Sequence, residues 1–284
     1  MVIHSYTTNG KRSYQEDSFN IIQNIKPTNT DITSIKKHNI DFISVFDGHG
    51  GPDISNTLQY SMFPYFLNQN LSIDNTPKPT SKFSKYIIDV FSQIQTDLNA
   101  KHNSSTAQGS TVCLCIIYKY NNKLFISSAW CGDSRACACN HSSIAIPLTL
   151  DHKPNYFKER KRIEALGGFI SLNKHDVPRV NNVLAVSRSM GDFDQKQFID
   201  HTPDITHYIC DFKFIVIATD GLWDVMDNQM VVDFVLELLD NSPSLCSSSK
   251  NKKSNSNIAF LLSEKAIELG SSDNITIIVY FVDI

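Results

Sequence analysis

Five apolar runs constrain the fold of this chain more than any other feature of its sequence. They are rich in isoleucine, valine and phenylalanine and lie at 41–47, 111–120, 123–130, 212–220 and 274–282. Runs of this length and composition are typical of buried β-strands, and Asn121-Asn122 between the second and third runs predicts a hairpin turn. The chain must therefore build a sheet that is buried on at least one face.

Helical periodicity marks five further stretches, at about 52–68, 82–100, 156–166, 228–240 and 257–269. Strands and long helices are grouped and do not strictly alternate, which favours an α+β layered sandwich over a doubly wound parallel sheet. No internal repeat or shift in composition marks a second domain, so we expect one domain over 1–284. We expect loops at 70–81 and 241–257, and the second, which has low complexity, should be mobile.

Composition and charge exclude several classes of protein. With 41% hydrophobic and 19% charged residues, the 284-residue chain can bury a large core. The net charge is −3 and the basic residues are scattered apart from 250–253, so we expect no nucleic-acid partner. The sequence has no secretory apolar segment and no apolar run of about 18 residues. We therefore expect a cytoplasmic or nuclear protein without a membrane anchor.

Seven cysteines are dispersed along the chain, which fits reduced thiols better than a disulfide framework. The spacing of Cys113 and Cys115, and of Cys137 and Cys139, places each pair on one face of a strand. Cys137, Cys139 and His141 could be zinc ligands, but they lack the usual CxxC spacing, and we favour core packing. No cysteine is followed by arginine six positions later, as thiol-based phosphatases require.

Four aspartates lie at the ends of predicted strands: Asp47, Asp133, Asp220 and Asp273. If these strands share one edge, carboxylates about 4 to 6 Å apart repel each other by several kcal/mol unless cations bind or protons do. Sites with several carboxylates select hard cations such as Mg²⁺ or Mn²⁺. One Asp-Gly step alone is more often a turn. Two such steps after apolar strands favour a metal site.

A glycine-rich turn follows the first of these aspartates. Gly48, Gly50 and Gly51 surround His49, although the chain has only 11 glycines. Glycine serves where the backbone bends tightly or approaches a ligand closely. This turn therefore supports a metal or phosphate site.

Ten motifs occur in one order from about residue 10 to the end of the chain. They are KRSYQEDSF, VFDGHGG, GSTV, CGDSRA, LTLDHKP, RIEALGGFI, RVNNVLAVSRSMGD, TPDIT, FIVIATDGLWDVM and SSDNITIIV. In this order they resemble the metal-dependent type 2C serine/threonine protein phosphatase family. The resemblance implies a four-layer α/β/β/α sandwich, in which two antiparallel sheets pack face to face with helices on both outer faces. It also implies a binuclear metal centre at one end of the sheets.

The resemblance implies the ligands of two ions, Mg²⁺ or Mn²⁺. Asp47 bridges both ions, Asp220 and Asp273 complete the shell of the first, and the Gly48 carbonyl with Glu16 serves the second. A hydroxide that bridges the ions then attacks the phosphorus directly. Such a pair of ions lowers the pKa of water and polarises phosphoryl oxygens.

Further roles follow from the same resemblance. Asp17 orders water bound to the ions, and Asp133, with Asp220 and Asp224, forms a third, weaker metal site. The segment 153–178 corresponds to a flap beside the cleft that contacts substrate. Trp130 departs from the family pattern, which has a small polar residue there, so the geometry near Asp133 needs testing.

Two side chains match catalytic positions of the family. Arg12 matches the phosphate-binding arginine, and a guanidinium fork suits phosphate oxygens. His49 matches the general acid that protonates the departing serine or threonine oxygen. The neighbouring NGKRS has only part of a P-loop pattern, since it lacks the upstream glycine and the hydroxyl after lysine.

Two other functional classes compete with an active phosphatase. A catalytically degenerate relative that binds phosphoproteins should have lost metal acids, yet Glu16, Asp47, Asp220 and Asp273 are all present. An unrelated structural metal protein would not need Arg12. We therefore expect hydrolysis of phosphoserine and phosphothreonine in phosphoprotein substrates by a monomer, with no membrane partner.

Overall fold

The computed structural model describes residues 2–25, 40–68, 81–102, 107–120, 123–172, 177–241 and 257–282. The predicted turn at 121–122 lies outside these residues, as do the loops predicted at 70–81 and 241–257, apart from their terminal positions. Within the described chain the helices are α1 Asp53–Asn68, α2 Ser81–Lys101, α3 Phe157–Ala165, α4 Asp220–Trp223, α5 Asn228–Asn241 and α6 Ile258–Glu268.

The longer strands are β1 Val2–Thr8, β2 Ser18–Ile25, β3 Ile40–Phe46, β6 Val112–Tyr120, β7 Lys123–Cys131, β8 Arg135–Cys139, β13 Asp204–Ile209, β14 Phe214–Ala218 and β15 Ile275–Phe281. Short strands of two or three residues complete the set: β4 Gly48–His49, β5 Gly109–Ser110, β9 Ala145–Pro147, β10 Ile170–Ser171, β11 Arg179–Val180 and β12 Met190–Gly191.

Two five-stranded antiparallel sheets form the centre of the fold. The first sheet has the order β1-β15-β14-β8-β9, and the second has the order β13-β7-β6-β3-β2. A small three-stranded sheet, β12-β5-β4, continues from the end of β3. Strands β6 and β7 pair along their whole length, which confirms the predicted hairpin as a strand pairing.

Alternate residues of each strand face different layers, as the two-residue period of a strand requires. In β14, Ile215 and Ile217 join the apolar cluster between the two sheets, whereas Phe214 and Val216 pack towards α5 and α6. Strand β3 divides its side chains in the same way between the inter-sheet cluster and helices α1 and α2. The predicted α/β/β/α order of layers is confirmed.

The helices form because their apolar residues recur at helical spacing. In α2 the buried side chains are Phe83, Ile87, Val90, Phe91, Ile94 and Leu98, which form one stripe along the helix. At the start of α6 the Asn257 side chain accepts hydrogen bonds from the backbone of Ala259 and Phe260, which satisfies two otherwise unpaired donors. These caps and stripes fix both helical layers against the sheets.

All five predicted strands and all five predicted helices are present, with ends that differ by one or two residues. The sequence patterns did not predict the longer strands β1, β2, β8 and β13, the short strands of two or three residues or the four-residue helix α4. Three of the longer ones, β1, β2 and β13, lie at sheet edges in the part of the chain that the structure describes, and polar residues interrupt their apolar pattern. Strand β8 is short and has alanine and cysteine instead of large apolar residues.

The cysteines confirm the core interpretation. The six that the structure describes are free and buried. Cys137 and Cys139 face the layer of α5 and α6, whereas Cys113 and Cys115 face the inter-sheet cluster. His141 lies at the surface, where its Nε2 is 3.0 Å from Asp211.

None of the helices in the described part of the chain has the length and apolar character that a membrane span requires.

Candidate metal centre

Three of the predicted acids meet at one end of the two sheets. Asp47 follows β3, Asp133 follows β7, and Asp220 begins α4 directly after β14. One carboxylate oxygen from each lies within 4.8 Å of the other two. They line a cleft of about 490 Å³, whose other walls include Arg12, Glu16, Gly48, His49, Lys153, Arg179, Asp224 and Asp273. The acids of both sheets therefore converge, as the strand-end argument predicts.

Burial and mutual repulsion make these carboxylates hard to ionise together. Burial raises the pKa of Asp47 well above its ordinary value, and the charges of Asp17 and Asp133 raise it further. Burial likewise raises the pKa of Asp220, with added repulsion from Asp47 and Asp133. Carboxylates in this state gain most from a bound cation.

The donor set fits a hard divalent ion. All three clustered side chains offer carboxylate oxygens, and most of the other side chains that line the cleft are charged or polar. Mg²⁺ and Mn²⁺ prefer oxygen ligands and keep part of their water shell, so few protein ligands suffice. The residues present can therefore hold such ions between the two sheets.

Two hydrogen bonds to Thr111 hold the backbone of Asp47 in place. The Asp47 backbone N–H donates to Thr111 Oγ1 at 3.1 Å, and the Thr111 N–H donates to the Asp47 carbonyl at 2.8 Å. Thr111 Oγ1 also lies 2.6 Å from the hydroxyl oxygen of Ser134. Thr111 belongs to the GSTV motif, and its role as a support was not predicted from the sequence.

Four more predicted ligands lie in the cleft beyond the three-acid cluster: Glu16, Gly48, Asp224 and Asp273. The side chain of Asp224 is 58% exposed, and its Oδ1 lies 4.0 Å from Lys153 Nζ. The position of Asp224 at the rim is compatible with a weaker site. The structure places all four in the cleft, and their roles as ligands stay predictions.

Asp17 lies behind the cleft and is 7% exposed. Its Oδ2 accepts a hydrogen bond from Thr219 Oγ1 at 2.8 Å. Burial raises the pKa of Asp17 to about 7, although hydrogen bonds from Thr276 and Thr219 oppose the rise. Its predicted part in ordering water stays a prediction.

The glycine turn has the conformation that the sequence suggests. Gly50 and Gly51 have φ angles of +70° and +135°, and α1 begins two residues later at Asp53. At Gly48 the reason for glycine is space, because a Cβ atom there would overlap the Glu16 carbonyl and the Ser55 side chain. The turn therefore carries the chain away from Asp47 and into α1.

Arg12 reaches the cleft from the loop after β1. One of its terminal nitrogens donates to Asp273 Oδ2 at 2.8 Å, and both side chains are 41% exposed. The side chain of Asn274 holds this loop, because it accepts from the Glu16 N–H and donates to the carbonyls of Asn9 and Tyr14. Asn274 therefore positions the segment that contains Arg12 and Glu16.

Lys153 is a site residue that the sequence reading treated only as part of the flap. Its Nζ lies 2.5 Å from Asp133 Oδ2, and Asp133 is almost completely buried. Burial alone lowers the pKa of Lys153, but the charges of Asp133 and Asp220 outweigh it and raise the pKa. The signal available in the sequence was the lysine of LTLDHKP next to the metal-acid motifs.

His49 lines the cleft and has a buried partner that was also missed. Its Nε2 lies 2.9 and 2.8 Å from the two carboxylate oxygens of Asp192. Burial alone lowers the pKa of His49, but the charge of Asp192 outweighs it and the pKa is raised. Asp192 ends the motif RVNNVLAVSRSMGD, and spacing gave no indication that it meets His49 from 143 positions away.

Trp130 does not displace Asp133 from the cluster. Its indole N–H donates to the Leu150 carbonyl at 2.6 Å, and its ring stacks on His152 with centroids 5.8 Å apart. His152 Nδ1 in turn accepts from the Gly132 N–H at 3.1 Å. The large side chain therefore supports the turn that leads to Asp133.

The segment 153–178, predicted as a flap, contributes Lys153 and Val177 to the lining of the cleft. It is described at 153–172 and 177–178, and it contains α3 and β10. Val177 and, just beyond the segment, Arg179 line one wall. Contact of the flap with substrate stays a prediction.

Comparison with known proteins places this site in a family. The family model described as Protein phosphatase 2C matches residues 3–275. Probable protein phosphatase 2C 28 of Arabidopsis thaliana is 31% identical over 251 residues, which are 88% of this chain and 66% of the plant protein. Protein phosphatase 1L of Bos taurus is 33% identical over 242 residues, which are 83% of this chain and 63% of the bovine protein. The chain thus spans slightly less than two thirds of both relatives.

A solved structure shows the same fold at lower sequence identity. The crystal structure of a phosphatase from a pathogenic strain of Toxoplasma gondii matches with a TM-score of 0.79, at 21% identity, over 98% of this chain and 92% of that one. The family match over residues 3–275, supported by relatives that are more than 30% identical over most of the chain, establishes that the chain belongs to the protein phosphatase 2C family.

Proposed function

We propose that this chain hydrolyses phosphoserine and phosphothreonine monoesters in proteins and depends on Mg²⁺ or Mn²⁺. One observation carries the proposal. The three clustered carboxylates, the Arg12 guanidinium and the His49 imidazole line the same cleft. Phosphoryl transfer needs these three elements together: a cation site, an anion-binding group and a proton donor.

The side chains divide the work as follows. Asp47 and Asp220, with Asp273, Glu16 and the Gly48 carbonyl, would hold two ions, and Asp133 with Asp224 would hold a third. When bound, Mg²⁺ or Mn²⁺ lowers the pKa of water and offsets the charge of phosphoryl oxygens.

Arg12 binds the phosphoryl group of the substrate through its guanidinium fork. In the structure one nitrogen of the Arg12 guanidinium contacts Asp273, and the Arg12 side chain is exposed enough to contact a phosphate that enters the cleft. His49 donates a proton to the serine or threonine oxygen as it leaves, which makes the departing group a neutral alcohol.

A catalytically degenerate relative is the competing function. Such a protein could bind phosphoproteins with Arg12 while the metal acids were lost or dispersed. The clustering of Asp47, Asp133 and Asp220 favours a working centre instead, because three carboxylates this close are costly unless they serve cations.

The test is hydrolysis of a phosphothreonine peptide by the purified chain, with excess Mn²⁺ or with excess chelator. We expect turnover only with metal, and loss of nearly all turnover in Asp47→Asn. The matched control is Asp233→Asn, which removes an exposed carboxylate from α5 and should leave the rate unchanged. Full activity in chelator, or a wild-type rate in Asp47→Asn, would contradict the proposal.

The proposal also covers the cellular location and the oligomeric state of the protein. A cytoplasmic or nuclear location is supported by the described cysteines, which are all free and buried, as in reducing compartments. We also propose that 1–284 acts as one catalytic domain and as a monomer. Size-exclusion chromatography with light scattering tests the monomer, and imaging of a tagged chain tests the location.

A further inference from the structure

We propose that Asp192 is a positioning residue that fixes the ring orientation and the tautomer of His49. This inference rests on the proposed function, because it concerns the group that protonates the leaving oxygen. It concerns a buried carboxylate that contacts the histidine and that is not one of the proposed metal ligands. Asp192 itself does not line the cleft described above.

The contact between the two side chains carries the first step. Both carboxylate oxygens of Asp192 lie within 2.9 Å of His49 Nε2. Since an ionised carboxylate can only accept, Nε2 must carry the proton in this pair. Nδ1 is then the ring nitrogen left for the substrate side. Asp192 is 1% exposed, whereas the His49 side chain is 27% exposed and lines the cleft.

The small sheet brings the pair together. Gly191 in β12 pairs with Gly109 in β5, and Gly109 pairs with His49 in β4. The Asp192 side chain crosses over Gly109 to reach His49. A Cβ atom at position 109 would overlap both the Asp192 carboxylate and His49 Nε2. Glycine in the GSTV motif therefore keeps open the space in which the pair lies.

Asp192 is held in an uncommon backbone conformation. Its φ angle is +48°, in the left-handed region that costs a non-glycine residue free energy. The preceding Gly191 is fixed by the Gln95 side chain, which bonds both its N–H and its carbonyl at 2.9 Å. The Asp192 N–H donates to the Gln108 carbonyl, and the Ser189 hydroxyl donates to Asp192 Oδ2. The surroundings thus aim the carboxylate at Nε2.

A purely structural ion pair is the competing explanation. Such a pair would stabilise the turn at 191–192 but would have no reason to leave its histidine open to the cleft. In the proposed arrangement the ring is anchored on one nitrogen and exposed to substrate through the other. The same division of labour occurs wherever a carboxylate orients a catalytic imidazole.

The proton balance of the step is simple. The bond between phosphorus and the serine or threonine oxygen breaks, and that oxygen takes the proton from His49 Nδ1. The oxygen of a water molecule joins the phosphorus, and the water releases one proton to solvent. The ring is left neutral, with its remaining proton on Nε2 and bonded to Asp192. Asp192 takes no proton, and His49 regains one from solvent before the next turnover.

The test is a double-mutant cycle on single-turnover rates at saturating Mn²⁺. Asp192→Asn should lose roughly 10²- to 10³-fold on a phosphothreonine peptide, because the uncharged amide places an N–H₂ donor beside Nε2 in place of one carboxylate oxygen and no longer favours the proton on Nε2. The loss on p-nitrophenyl phosphate should be about threefold or less, because that leaving group departs without a proton. In a His49→Ala background, Asp192→Asn should have no further effect.

A matched control removes a neighbouring carboxylate. Asp194 is exposed two residues beyond Asp192, and Asp194→Asn should keep both rates within about twofold. Equal losses on the two substrates, or the same loss with and without His49, would assign Asp192 to structure alone and overturn the inference.

A second measurement does not depend on activity. In ¹⁵N-histidine-labelled protein at high pH, the ring signal absent from His49→Ala should show the proton on Nε2, and Asp192→Asn should move it to Nδ1. A proton on Nδ1 in the wild type would overturn the inference. If the wild type showed the Nε2 proton but no hydrolysis, the proposed function would fail while the positioning of His49 stood.

Discussion

Asp220→Asn should stabilise the metal-free protein, although it should abolish turnover. The side chain sits in a cluster whose oxygens lie within 4.8 Å of one another. At that distance each ionised pair repels by about 3 kcal/mol for an effective dielectric constant of about 20, and Asp220 has two such partners. Asp220 can avoid this repulsion by binding a proton, which it would release at pH 7 in the unfolded chain.

The cost of that proton sets the size of the effect. The pKa of Asp220 is raised by burial and repulsion well above its ordinary value of 3.8. For a carboxyl group with this ordinary value, binding a proton in the folded state at pH 7 costs at most about 4 kcal/mol relative to the unfolded state. The variant should therefore gain at most about 4 kcal/mol.

The pH dependence of this stability gain follows from the raised pKa of Asp220. A carboxyl group whose pKa is raised by folding costs nothing below about pH 4, where both states are protonated. Its cost grows as pH rises above 3.8, until the folded protein also ionises. The advantage of Asp220→Asn in chelator should accordingly be absent near pH 4 and largest at pH 7 and above.

Urea denaturation in excess chelator, repeated from pH 4 to pH 8, measures this effect. The control Asp233→Asn should differ from wild type by no more than about 0.5 kcal/mol at any pH. Saturating Mn²⁺ should reverse the order, because the wild type gains more from the ion. A variant no more stable than wild type at pH 7, or a gain that does not depend on pH, would refute the reasoning.

Three further variants test individual contacts. Arg12→Ala should lower kcat/KM on a phosphothreonine peptide roughly 10- to 100-fold, the value of a charge-assisted hydrogen bond, and an unchanged value would exclude phosphate binding. Lys153→Gln should cost about 3 kcal/mol of unfolding free energy in chelator by leaving Asp133 unpaired, and Mn²⁺ should restore most of it; equal costs with and without metal would contradict this. Trp130→Phe should cost about 1 kcal/mol through the lost bond to Leu150, measured by thermal denaturation, and no change would show that this bond adds nothing.

The sequence alone predicted the main strands and helices of this protein, and the resemblance carried by its motifs implied the order of the layers and the candidate site residues. Long apolar runs and helical periodicity can be recognised without the tertiary structure, because they show which face of each strand or helix must be buried. The acids were recognisable because each follows or precedes a buried strand. Edge strands were missed because their solvent-facing residues weaken the same pattern.

Only the tertiary structure decided which distant residues meet. Asp192 reaches His49 across Gly109, and Lys153 reaches Asp133, although no local spacing relates either pair. Local pattern encodes burial, but the partner of a polar side chain depends on how two sheets and a loop are placed in space. The acids of the centre could therefore be predicted from the sequence. Only the fold showed that Asp192 contacts His49 and that Lys153 pairs with Asp133.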